Sequence, residues 1–166
     1  MSRRACVLAG LVALAPLATP AEEVMFVEGL RGGLSSVPER AGWFRVAATS
    51  WNVDRANAAL PLSLFVSLYA QAGTAPLMEA ALTGSVFRKI VLEQVAMNDG
   101  SVRLLVRRTC ETASVAKVAA RSASQQPQGL EAVDFGLKCG SMSLEYFDYS
   151  EAGQPIQRGT AVLRIK

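Results

Sequence analysis

The sequence contains no histidine, and this absence removes several kinds of catalytic and metal site. A Ser-His-Asp triad or a Cys-His pair cannot be assembled without an imidazole base. Zinc and iron sites that use imidazole ligands are excluded for the same reason. We therefore expect a binding or structural protein, with no enzyme activity and no cofactor.

Aromatic and charged residues are also few, at 7% and 19% of the chain, whereas 51% of the residues are apolar. A chain of 166 residues with this balance is too apolar to be disordered and long enough to bury a core. No apolar run reaches the roughly 20 residues that a membrane-spanning helix needs. The composition predicts one folded domain without stable membrane insertion.

The N-terminus has the three regions of a secretory signal peptide. Arg3 and Arg4 precede an apolar run over residues 5–18, and small residues then lead to Ala21 and the acidic Glu22. We predict a signal peptide over residues 1–21, with cleavage between Ala21 and Glu22. The protein is then exported, to the periplasm or out of the cell.

Cleavage changes both the cysteine count and the charge. It removes Cys6 and leaves Cys110 and Cys139, which are candidates for a disulfide in an oxidising compartment. The alternative is two separate buried thiols. The mature chain keeps 15 basic and 14 acidic residues, so its charge gives no reason to expect a nucleic-acid partner.

The mature chain has the patterns of strands and of one helix. Apolar and polar residues alternate over residues 60–69, as in a strand. Thr74 and Gly84 are suited to begin and end a short helix whose apolar face contains Leu77 and Leu82. Two strand-like runs flank Asp99-Gly100, which predicts a hairpin. Residues 122–129 have the composition of a loop.

Further strands are expected at residues 43–53, 133–149 and 160–165. Together, these predicted elements indicate a mainly β single domain over residues 22–166. We expect a β-barrel or two packed sheets, with one short flanking α-helix.

Several segments occur in an order that is similar to a known family. Met25-Phe26 lies before a glycine-rich turn, and a strand ends in Ser50-Trp51. A helix then ends in Ala80-Ala81-Leu82-Thr83-Gly84, and a late strand ends in Leu144-Glu145-Tyr146. This order resembles that of the hemolysin-coregulated proteins (Hcp), the tube subunits of type VI secretion systems.

The resemblance implies a function as well as a fold. It implies hexameric rings that stack into a tube, with effector proteins carried in the lumen and the spike and sheath of the secretion system as further partners. Tube proteins are assembled in the cytoplasm, so a start at Met25 is the alternative to export. An exported Hcp-fold binding module that forms no tube is the alternative function. A small hydrolase that uses scattered carboxylates is the third hypothesis.

Three smaller features have weaker interpretations. Ser114 and Lys117 match the S-x-x-K pattern of penicillin-recognising enzymes, but the partner motifs are absent. Arg103 and Arg107 share a strand face, which we expect to be solvated. Trp51 is expected in the core or in a subunit contact.

Overall fold

The protein is described from a computed structural model, which covers residues 21–33, 35–53, 62–98, 101–121, 130–150 and 153–164. These residues contain one α-helix, α1 (Thr74–Thr83), and a 3₁₀ turn at Pro38–Arg40. The strands are β1 (Glu22–Val27), β2 (Phe44–Val53), β3 (Leu62–Tyr69), β4 (Val86–Asn98), β5 (Ser101–Arg121), β6 (Ala132–Lys138), β7 (Ser141–Tyr149) and β8 (Pro155–Arg164). The prediction of a mainly β fold with one short helix is confirmed.

Six antiparallel strands close into a barrel. Their order is β4-β1-β2-β3-β6-β5, and pairing between β4 and β5 completes the ring. The remaining two strands extend this wall, because β7 pairs with β5 and β8 pairs with β7. The result is a barrel, which was one of the two architectures expected from the sequence, and a second, smaller sheet surface continues from it.

Strand β5 changes its partner halfway along its length. Residues 106–111 pair with β7, and residues 114–121 pair with β6 on the same side. Thr112 lies between the two halves with a φ of 54°. The prediction of one strand over residues 133–149 was wrong, because the chain turns at Cys139 and Gly140. There the Gly140 amide donates to the carbonyl oxygen of Glu111 at 3.0 Å.

The core fills the barrel with aliphatic side chains. The predicted strand is present as β3, and Leu62, Leu64, Val66 and Leu68 on its apolar face are each at most 2% exposed. The other face is also covered, since of its residues only Phe65 is exposed. Helix α1 packs against β5 and contributes Leu77 and Ala80 to the core. The deepest members from other strands include Met25, Phe44, Ile90, Leu92, Leu137 and Met142. Burial of these large apolar side chains is a main source of the domain's stability.

Two local expectations need correction. Thr74 does not cap α1: Gly73 is the N-cap residue, and the Thr74 hydroxyl donates to the carbonyl oxygen of Gln71 at 2.6 Å. Gly84 ends the helix with a φ of 69°, as expected. Leu82 is not on the buried face but is 89% exposed, because only about one helical stripe contacts β5.

Some predictions fall on residues outside the described set. These are the signal peptide up to residue 20, the Asp99-Gly100 turn and the loop at residues 122–129. The strands on either side of the turn do pair, with Asn98 opposite Ser101.

Candidate functional site

A buried carboxylate ties the segment before β2 to the barrel wall. Glu93 on β4 is 2% exposed, and its Oε2 accepts from Arg40 Nε at 2.6 Å. Its Oε1 accepts from Arg107 Nε on β5 at 2.8 Å. Both oxygens are therefore occupied by guanidinium groups, which suits a structural ion pair and leaves no free carboxylate for acid-base chemistry.

Aromatic rings extend this cluster towards β1. The Arg40 guanidinium lies 5.3 Å from the Trp43 ring, and the Trp43 and Phe26 ring centroids are 5.5 Å apart. These contacts add cation–π and aromatic packing energy to the ion pair. The segment that carries Arg40 and Trp43 is thereby held against the outer face of β1 and β4.

The arginines of β5 all have partners within the chain. Arg103 lies 5.2 Å from the Tyr149 ring, and Arg108 forms an ion pair with Glu23 at 3.2 Å. Arg107 binds Glu93 and also approaches Glu145 at 3.9 Å. The expectation of a simply solvated face was wrong for Arg107, which is only 36% exposed because Glu93 draws it onto the sheet.

The two mature cysteines meet at the point where β5 changes partner. The sulfur atoms of Cys110 and Cys139 are bonded in the structure, and their Cα atoms lie 5.4 Å apart. Both residues are completely buried. The bond joins β5 to the turn between β6 and β7, and therefore connects the barrel to the β7–β8 extension.

The outer edge of β8 is free in the part of the chain that the structure describes. β8 pairs only with β7, and most of its side chains are exposed. Val162 is 55% exposed and Ile156 is 37% exposed, while Tyr146 on β7 is 47% exposed. A long edge with unpaired backbone groups and apolar side chains is a surface on which another strand can pair.

A second apolar surface lies around the end of α1. Met78, Leu82 and Val86 are 41%, 89% and 59% exposed. Met78 and Leu82 are four residues apart and therefore share a helix face. Trp51, near the end of β2, is 42% exposed, so its placement in the core was wrong and the subunit-contact interpretation stays a prediction.

Most of the acids that the sequence offered as candidates have partners of their own in the described residues. Asp134 binds Arg121 and Glu145 lies near Arg107, while Glu111 accepts from Ser141. Ser114 and Lys117 lie within β5 opposite β6, without the partner motifs that catalysis would need.

The described residues contain no cluster of acidic or cysteine side chains that could hold a metal ion. In this same part of the chain, no helix has the length and apolar character to cross a membrane.

Comparison of the whole structure with solved structures decides the fold. A type six secretion system protein superimposes with a TM-score of 0.72 over 88% of this chain and 96% of its own, at 14% identity. The chain has the Hcp fold. Hcp1 from Salmonella typhimurium gives a TM-score of 0.66 over 85% of this chain and 92% of its own, at 16% identity. Secreted protein Hcp3 from Pseudomonas aeruginosa gives a TM-score of 0.60 over 89% of this chain and 100% of its own, at 12% identity.

The Hcp fold thus covers 85–89% of this chain and 92–100% of these solved structures. Sequence comparison does not detect it, since no family model and no curated protein sequence matches the chain. The segments that carried the resemblance occupy the expected elements: Met25 and Phe26 lie in β1, Trp51 near the end of β2, and Tyr146 in β7. The topology is kept although few side chains are shared.

Proposed function

We propose that the chain is a tube subunit of a type VI secretion system, which forms hexameric rings that stack and carry effector proteins. The observation that carries this proposal is the Hcp fold, which a type six secretion system protein shares over 88% of this chain and 96% of its own. Spike and sheath components are the further partners that this role implies.

The exposed edge of β8 supports self-assembly. In a ring, each subunit presents the same two surfaces to its neighbours, and a free strand edge is stabilised when the next copy covers it. The apolar side chains of Tyr146, Ile156 and Val162 accompany this edge. The Met78–Leu82 surface lies on a separate element and provides a second contact for stacking or for the neighbouring subunit.

Mass measurement of the mature protein tests the assembly directly. Residues 22–166, purified and examined by light scattering and negative-stain microscopy, should give rings of six copies. A species that stays monomeric at high concentration would refute the tube proposal.

A substitution on β8 locates the contact. Val162→Lys places a charge on an exposed position of the edge strand, so it should dissociate the rings into folded monomers. Leu130→Lys is the matched control, because Leu130 is 42% exposed but lies outside β8. Equal ring content in the two variants would rule out the β8 edge as the contact.

We infer further that the protein is exported and cleaved between Ala21 and Glu22. β1 begins at Glu22, so this cleavage leaves the strand intact. A start at Met25 would remove half of β1, including the fully buried Val24 and the ion pair of Glu23 with Arg108. N-terminal sequencing of the cell-made protein should return Glu22, and recovery of an intact Met1 from the cytosol would overturn the proposal.

Export would separate the protein from a tube assembled in the cytoplasm, so it favours the second candidate function, an Hcp-fold binding module in the periplasm or outside the cell. The specific observation that favours it is the disulfide, which forms in those compartments and is rare in the cytoplasm. The same ring measurement separates the two functions, since the module stays monomeric.

A further inference from the structure

A shallow cleft lies on the outer wall of the barrel. It has a volume of about 380 Å³ and is lined by residues of β2, β3, β6 and the C-terminal half of β5. One row of paired residues crosses its floor: Ser50 lies opposite Phe65, Phe65 opposite Gly136, and Gly136 opposite Lys117. We call this the Phe65 cleft.

Gly136 shapes the floor of the Phe65 cleft. A Cβ at this position would lie 3.2 Å from the Lys117 Cβ and 3.4 Å from Cε1 of the Phe65 ring. The glycine therefore allows the Phe65 ring to lie close against the β6 backbone. The neighbouring positions are small, namely Ala48, Ser50 and Ala119. Phe65 stays 39% exposed and is the largest apolar surface of the cleft.

The charges of the Phe65 cleft favour an anion. Asp134 is neutralised, because its Oδ2 accepts from Arg121 Nε at 2.5 Å and its Oδ1 accepts from the Ser67 hydroxyl. Lys117 projects beside Phe65, and none of the described carboxylates forms an ion pair with it. The lining contains two cations and one anion, and the unmatched cation is next to the exposed ring.

The shape of the cleft favours a peptide over a small molecule. Four neighbouring strands spaced by about 4.8 Å span roughly 14 Å, the length of about four extended residues. A small-molecule site encloses most of its ligand, whereas this cleft is shallow and leaves its aromatic floor exposed. We propose that the Phe65 cleft binds an extended peptide segment in which an acidic residue adjoins an apolar one. The acidic group meets Lys117 and the apolar group packs on Phe65.

This inference does not rest on tube formation, because the cleft is complete within one chain. It is tested on the mature protein, as a monomer or a ring, by fluorescence anisotropy. The probe is a short fluorescein-labelled peptide in which two aspartates flank a phenylalanine. Two comparison peptides replace the aspartates by asparagines or the phenylalanine by serine. We expect the first to bind at least about tenfold more tightly than either, as expected for one charge-assisted contact and one buried ring.

Variants assign the binding to the cleft. Lys117→Gln and Phe65→Ser should each weaken it about tenfold, and both side chains are exposed enough for the fold to survive. Lys89→Gln is the control, since it makes the same change on β4, which does not line the cleft. Unchanged affinity of Lys117→Gln, or equal binding of the asparagine peptide, would overturn the proposal. The proposal would also be overturned if the protein bound phosphatidylglycerol vesicles through Lys117 and did not bind the peptide.

Discussion

Removal of the disulfide gives the sharpest test of how this barrel is held together. Cys110 is in the middle of β5, and Cys139 begins the turn that separates β6 from β7. The bond therefore fixes the one point at which β5 exchanges one partner strand for another. Thr112, with its φ of 54°, lies two residues from Cys110 in the same kink.

The expected loss follows from the size of the loop. The cysteines are separated by 29 positions in sequence. Closing such a loop removes chain entropy from the unfolded state worth about 3.6 kcal/mol at room temperature. With a urea dependence of roughly 2 kcal/mol per molar, the unfolding midpoint should fall by about 2 M on reduction. The Cys110→Ala/Cys139→Ala double variant should lose at least as much, because it also leaves space where two buried sulfur atoms packed.

Urea unfolding of oxidised, reduced and double-variant protein measures this loss. Hydrogen exchange adds a local readout, since the Gly140 amide bonds to the carbonyl oxygens of Glu111 and Thr112 at 3.0 and 3.3 Å. We expect this amide to lose protection first on reduction. Equal midpoints for oxidised and reduced protein would refute the reasoning. So would free thiols on protein recovered from the periplasm, as read by alkylation and mass spectrometry.

Three substitutions and one truncation test the remaining contacts by urea unfolding. Glu93→Gln should lower the free energy of unfolding by about 2 kcal/mol, which is less than the loss of a fully buried ion pair because Arg107 is partly exposed. The control is Glu39→Gln, which removes an exposed partner of Arg40 and should change the free energy of unfolding by under about 0.5 kcal/mol. A chain that starts at Met25 lacks the buried Val24, so its free energy of unfolding should be at least about 2 kcal/mol lower than that of the chain that starts at Glu22. Equal stability of the two chains would support Met25 as the start. Thr112→Gly should raise the free energy of unfolding by about 0.5–1 kcal/mol, because glycine adopts the left-handed conformation without the strain that a threonine side chain causes there. A lower free energy of unfolding for this variant would show that Thr112 is unstrained.

Elements that follow a local period were predictable. The alternation around Leu64 and Val66 gave β3, and Gly84 gave the end of α1 in the left-handed region. The order of segments was enough to indicate the Hcp fold, although identity to the solved relatives is only 12–16%. Such patterns survive because burial constrains the spacing of apolar residues more than their identity.

Features that depend on distant contacts were not predictable. A β-bulge between Val46 and Ala48 turns Ala48 outward, whereas a regular strand would place it on the buried face of Val46. The division of residues 133–149 into two strands follows from the kink in β5, which lies elsewhere in the chain. The sequence did not indicate that Glu93 is buried in an ion pair, because its partner Arg40 is 53 positions away and a charged side chain is usually expected on the surface.

The start of β1 and the disulfide constrain the same step of the proposed export pathway. The Ala21–Glu22 bond adjoins a strand whose pairing with β4 begins at Glu22 opposite Val95, so a peptidase reaches it most easily before the barrel closes. Oxidation of Cys110 and Cys139 requires β5 to lie against the following turn, so it accompanies closure. Folding and ring formation then both follow export. If mature protein that is refolded and kept under reducing conditions still forms rings, ring formation does not require the disulfide and therefore does not have to follow export.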